Sequence, residues 1–194
     1  MDNFIKNGLT EANETIESVL SDVDLLNLLQ NSIKCLSECY KNNGRVFSCG
    51  NGGSMCDSMH FAEELTGRFR KDRRSLGAMS ISDPSHLTCV GNDYGYEHVF
   101  SRHLEGWGNP GDVLLAISTS GNSPNILEAV KVAKEKKMKV IGLLGKGGGK
   151  LKGEVDYPLI VPFTKSTDRV QEIHIKFIHL FIEGIERNLF PENY

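Results

Sequence analysis

Twice in this chain a short apolar run ends in a turn of Gly, Ser and Asn and continues directly into a helix. The first instance is Val46-Phe47-Ser48-Cys49, then Gly50-Asn51-Gly52-Gly53-Ser54, then Met55 to Glu64. The second is Val113 to Ile117, then Ser118-Thr119-Ser120-Gly121-Asn122-Ser123, with Pro124 opening the helix. A strand that is apolar at every position is one buried on both faces, the condition of a parallel sheet. Turns of Gly, Asn and Ser accept backbone angles that other residues resist. A helix starting at such a turn offers free N–H groups and the positive end of its dipole to an anion. Each device therefore makes an anion site at the carboxyl end of a strand, where open α/β sheets bind ligands. Ser54 is expected to cap the first of these helices.

The remaining pattern extends the same plan. Leu76–Ser82, Met138–Leu144 and Tyr157–Val161 read as further strands. Helical spacing covers residues 2–20, 25–40, 84–90, 97–107, 124–137 and 168–187, with a turn at Gly91-Asn92-Asp93-Tyr94-Gly95. Alternating strands and helices predict an α/β three-layer sandwich, a central parallel sheet of flavodoxin-like or Rossmann-like type with right-handed crossovers. Residues 1–194 are expected to form a single domain, preceded within it by a helical extension of about residues 1–44. The wide apolar faces of the two leading helices fit a larger core or a subunit interface equally well.

Composition removes several function classes. Apolar content of 39% and charged content of 24% are those of an ordinary globular protein, and a net charge of −3 leaves no basic footprint for nucleic acid. No apolar run reaches the length of a membrane span, and Met1-Asp2-Asn3-Phe4 does not begin a signal peptide. Five cysteines, with no C-x-x-C pair, read as reduced thiols and a cytoplasmic location. The segment Gly145–Leu151 is one residue short of a nucleotide phosphate loop and has Leu151 where a hydroxyl would hold magnesium. The organising turn has no G-x-G-x-x-G spacing either. Phosphate recognition without a nucleotide motif suits a small phosphorylated ligand. Gly67–Ser75, with five basic residues, reads as a solvated loop that helps attract such an anion. His60 and Glu64, spaced i,i+4, share one helix face about 6 Å apart along the axis and supply proton-handling or metal-binding groups.

Ser118-Thr119-Ser120-Gly121-Asn122-Ser123 after an apolar strand resembles the signature of sugar isomerase (SIS) domains. Cys49–Ser54 followed by His60-Phe61-Ala62-Glu63-Glu64-Leu65-Thr66-Gly67-Arg68 is more specific, as is Asp168-Arg169-Val170-Gln171-Glu172-Ile173-His174 with His179 beyond. Together they resemble the bacterial phosphoheptose isomerases over essentially the whole chain. The resemblance implies that Ser118, Thr119, Ser120 and Ser123 hold the substrate phosphate. Asn51, Gly52, Gly53, Ser54, Asn92, Asp93 and Gln171 are implied to contact substrate, and Asp168 to do so beside its role as a carboxylate at a helix N-terminus. His60, Glu64, Gln171 and His179 are implied to bind one zinc ion per subunit, and Glu64 and His179 to be the acid/base pair. Also implied is a homotetramer with active sites at subunit contacts. The implied reaction converts sedoheptulose 7-phosphate to D-glycero-D-manno-heptose 7-phosphate through an enediolate, the first step toward the ADP-heptose precursor of lipopolysaccharide core. No nucleic acid or membrane partner is implied. The other class of reading is a non-catalytic SIS protein that binds the replication initiator or a phosphosugar; a third is an isomerase of another ketose phosphate.

Gln171 and His179 lie eight residues apart, about 12 Å along a straight helix, so they share an ion only at near-full reach or from two subunits. His86, His98, His103 and His174 read as surface or helix-face residues, with His174 the one inside a motif.

Overall fold

The computed structural model describes residues 3–162 and 166–194. Two helices, α1 (Phe4–Ser21) and α2 (Val23–Lys41), lead into β1 (Val46–Gly50) and α3 (Gly53–Thr66). Next come β2 (Ala78–Ser80), α4 (Pro84–Asp93), a 3-10 turn (Tyr96–His98), α5 (Ser101–Trp107), β3 (Val113–Ser118) and α6 (Pro124–Glu135). The chain finishes with β4 (Lys139–Leu144), β5 (Tyr157–Ile160) and α7 (Thr167–Leu189). The helix expected to start at residue 2 begins at Phe4; residue 2 itself lies outside the described residues.

The five strands form one parallel sheet in the order β2-β1-β3-β4-β5. The reversal of strand order falls between β1 and β3, whose carboxyl ends are in register at Gly50 and Ile117. That crevice is where such sheets bind ligands. Both Gly/Ser turns leave from it. β1 and β3 are buried along their whole lengths; β3 is apolar from Val113 to Ile117, and β1 buries Ser48 with its hydroxyl donating to Ser58 O at 2.9 Å.

Side chains alternate between two cores. Val113, Leu115 and Ile117 of β3 face one core with α2, the Phe61–Leu65 side of α3, and α7. Leu114 and Ala116 face the other, with Phe100, Leu104 and the apolar face of α6. The apolar face of α7 runs through Val170, Ile173, Phe177, Ile178, Phe181, Ile182 and Ile185, all buried. Each large apolar side chain on it contributes about 1.5–3 kcal/mol by burial, which fixes α7 firmly alongside α3.

Three local readings are corrected. α4 continues through Gly91, Asn92 and Asp93, where a turn was expected; Tyr94 N still donates to Val90 O at 2.9 Å, and the chain reverses at Gly95. The stretch 97–107 is broken between the 3-10 turn and α5, because Val99 and Phe100 are both drawn into the core. Ser54 is not the cap of α3: Gly52 occupies that position, and Ser54 is buried inside the first turn.

Candidate active site

The first turn sits where β1 meets α3. Gly52 has φ of +56°, so the chain turns there in a conformation that a side chain would resist. No side chain caps the start of α3; Ser54 N donates to Asn51 O at 3.1 Å and Met55 N to Gly52 O at 2.9 Å, so the turn caps the helix with its own backbone. Asn51 does not offer its side chain to solvent. Its Nδ2 donates to Asn125 Oδ1 at 2.9 Å, while its Oδ1 accepts from Asn125 Nδ2 at 2.8 Å and from Tyr96 Oη at 3.0 Å. This amide clasp locks the β1–α3 turn to the start of α6, across the crevice.

The second turn sits where β3 meets α6. Ser118 Oγ accepts from Gly121 N at 3.1 Å and lies 3.1 Å from Ser123 Oγ, and Ser120 Oγ accepts from Asn122 N at 3.2 Å. Three hydroxyls thus line one tight loop; Thr119 stands half-buried in the same loop. Gly121, at φ +65°, lies hard against the Gly148 carbonyl. Leu151 N donates to Gly121 O at 3.0 Å and Lys150 N to Asn122 Oδ1 at 3.1 Å. The glycine-rich segment 145–150 therefore supports the hydroxyl loop from behind, which accounts for its glycines without a nucleotide.

His60, Glu64 and His179 converge on the seam between α3 and α7. His60 Nε2 lies 3.0 Å from His179 Nε2 and 3.6 Å from Glu64 Oε1, while His60 Nδ1 lies 3.6 Å from Glu63 Oε1. The Phe69 ring covers His179 at 5.7 Å between centroids. Burial pushes the Glu64 carboxyl above its usual range, helped by Glu63. Burial also lowers His179, with the His60, Lys176 and Arg70 charges adding to it, which favours the neutral imidazole. Neutral imidazole nitrogens are metal-ligand forms. Among the described residues, the group whose ligand atoms all lie within 4.8 Å of one another is His60, Glu63 and Glu64, a set of imidazole and carboxylate donors that could hold a metal ion; His179 stands against His60 at its edge.

Gln171 occupies a different station on the same seam. Its side-chain amide packs directly on Gly53, where any Cβ would meet it. Gly53 and His60 are seven residues apart on α3, about 10 Å of rise. Within one chain Gln171 accordingly joins the Gly52–Gly53 turn rather than the histidine pair. Asn92 and Asp93 are exposed on the last turn of α4, joined by a 2.8 Å hydrogen bond from Asn92 Nδ2 to Asp93 Oδ1. Asp168 is exposed in the first turn of α7, its carboxyl held low chiefly by the Ser166 hydroxyl. His174 is buried in the core, with Nε2 donating to Leu144 O at 3.3 Å.

Four residues around the site carried no sequence signal that singled them out. Asn125 and Tyr96 complete the clasp. Phe69 and Arg73 lie in the basic loop, where Arg73 is enclosed by protein and Arg70 pairs with Glu183 at 2.8 Å. The loop is thus only partly the solvated segment its composition describes. Asn125 had one available cue, a short amide directly after Pro124 in the first turn of a helix.

The SIS domain family model matches residues 10–145. A phosphoheptose isomerase of Enterobacter sp. (strain 638) is 53% identical over 186 residues, covering 96% of this chain and 97% of that protein. A phosphoheptose isomerase of Fusobacterium nucleatum is 58% identical over 159 residues, 82% of this chain and 81% of its own. The solved phosphoheptose isomerase of Neisseria gonorrhoeae superimposes with a TM-score of 0.87 at 39% identity, over 94% of this chain and 96% of that one. With its hydroxyl loop at the β1/β3 crevice and its histidine–carboxylate seam, the chain belongs to the SIS domain family and, within it, to the phosphoheptose isomerases.

Proposed function

We propose that this enzyme interconverts sedoheptulose 7-phosphate and D-glycero-D-manno-heptose 7-phosphate, in the cytoplasm, as the first step toward the ADP-heptose precursor of lipopolysaccharide core. The observation that carries the reading is the convergence of His60, Glu64 and His179 on the seam between α3 and α7, with α3 itself starting at the crevice turn. Ser118, Thr119, Ser120 and Ser123, with the N–H groups at the start of α6, hold the phosphate; the turn Asn51–Ser54, with Gln171, faces the sugar, and Asn92, Asp93 and Asp168 contribute from its rim. Asn51 serves the sugar through its backbone, since its amide is committed to Asn125.

Glu64 takes a proton from C1, giving the enediolate with its negative charge at O2, which then receives the O1 proton. A proton then reaches C2 as the charge left on O1 collapses, restoring a carbonyl at C1. His179 carries protons between the two oxygens. The partly desolvated Glu64, with its raised carboxyl, is suited to accept and return a carbon-bound proton. His60, Glu64 and His179 would hold one zinc ion per subunit, which supplies positive charge to the developing oxyanion when bound. The active unit is proposed to be a homotetramer, with the active sites at subunit contacts.

Turnover of sedoheptulose 7-phosphate by metal-stripped and zinc-restored protein tests this reading. Glu64→Gln and His179→Ala are expected to lower kcat by about 100- to 10,000-fold, with zinc restoring activity only to the unaltered protein. Undiminished turnover in both variants would remove the acid/base assignment. Activity unaffected by stripping would remove the zinc.

A further inference from the structure

Arg73 is the most completely enclosed charge at the margin of the site. Its side chain is 0% exposed and that of its partner Glu186 is 1% exposed, with Nε donating to Glu186 Oε1 at 2.9 Å. The rest of the guanidinium serves the end of α3. Nη2 donates to Glu64 O at 2.6 Å, and Nη1 to Leu65 O at 2.8 Å and Gly67 O at 2.9 Å. The last carbonyls of a helix have no partner within it, and a cation there also meets the negative end of the dipole. Arg73 is thus the C-terminal cap of α3, supplied from the following loop, and it holds the backbone of Glu64 itself.

Glu186 belongs to α7, two turns beyond His179 and on the same side of the helix. Its second oxygen, Oε2, accepts from Tyr194 Oη at 2.7 Å. One chain of contacts therefore runs from the Glu64 carbonyl through Arg73 and Glu186 to Tyr194, tying the helix that carries Glu64 to the helix that carries His179. A buried ion pair of this kind adds little stability over apolar residues of the same size, because both ions must be desolvated. What it supplies is a fixed geometry: a planar fork with set angles, which a lysine or a leucine lacks.

We infer that Arg73, held by Glu186 and Tyr194, is a positioning residue that sets the placement of the Glu64 carboxylate relative to His179. This rests on the reading of Glu64 and His179 as the reacting pair. None of the three residues touches the phosphate loop, so the effect should fall on chemistry and on metal affinity, not on substrate binding.

The test uses the zinc-loaded full chain and measures kcat, KM, zinc affinity by competition with a chromophoric chelator, and the thermal midpoint. Glu186→Gln and Arg73→Lys, each folded, are expected to lower kcat by about 100-fold through misplacement of the reacting groups, to weaken zinc, and to leave KM within twofold. A purely structural role would lower the thermal midpoint while each folded molecule kept its kcat and zinc affinity, and that result overturns the inference. Tyr194→Phe removes one hydroxyl from a partly exposed ring and decides the matter if the buried variants do not fold. It should show a smaller fall in kcat with KM unchanged; wild-type kcat in it and no folded buried variant would equally overturn the inference. If Glu64→Gln itself keeps full kcat, the reacting-pair reading fails and the inference falls with it. If Glu64→Gln is inactive but folded Glu186→Gln is fully active, only the positioning role is lost.

Discussion

His174 shows how one side chain can sit inside a functional motif and belong to the core. Burial lowers it from 6.5 to about 4, and its Nε2–H is spent on the Leu144 carbonyl. The unfolded chain therefore binds a proton between about pH 6.5 and 4 that the folded chain refuses, so stability falls with falling pH across that window. Linkage gives a loss of about 2 kcal/mol from this residue between pH 7.5 and 5. Urea unfolding at the two pH values should show it, and His174→Phe should flatten the difference. Spacing placed His174 next to Gln171 but could not reveal burial, which depends on α7 meeting the end of β4. The same blindness affects Asn51. Its position at the turn was legible; the use of its amide on Asn125, 74 residues away, was not.

The elements that form the site were legible because each follows a local rule: an apolar run buried on both faces, a Gly/Ser turn, then a helix. Errors arose where tertiary contact overrode the local signal. Gly52 rather than Ser54 caps α3, because the positive φ of the turn fixes where the helix can start. The glycine run 145–149 had no local meaning, since its role is to lie against the hydroxyl loop. Gly121→Ala tests that packing. A residue with a Cβ costs about 1–2 kcal/mol in this left-handed conformation, and its Cβ meets the Gly148 carbonyl besides. The expected outcome is a lower thermal midpoint together with a KM for the phosphosugar raised at least about tenfold, as misplaced donors lose about 1.4 kcal/mol or more of phosphate binding. A normal KM would mean that the phosphate is held elsewhere.

Across the whole molecule, the two leading helices leave more apolar surface open than the core uses. Phe4 is 71% exposed, Leu9 70% and Val23 67%, while only Thr15 and Val19 of α1 are buried. Among the described residues no helix is long and apolar enough to cross a membrane. The proposed homotetramer would bury this open surface of the two leading helices, and on that proposal sedimentation equilibrium is expected to give four times the 21.5 kDa chain mass. Leu9→Asp should shift the protein to smaller species and reduce activity with them; an unchanged mass would place the interface elsewhere. The sequence showed the surplus surface but not its occupant, because a partner leaves no mark in local spacing. The amide clasp and the histidine pair also have a consequence in time. They join positions 74 and 119 residues apart, the clasp across the crevice that exists only once β3 has docked beside β1 and the histidine pair across the seam between α3 and α7. Contacts so distant in sequence close late in folding, after the loop entropy between them has been overcome. A half-folded chain holds every reacting group and no active site, so catalysis is confined to molecules whose folding is complete.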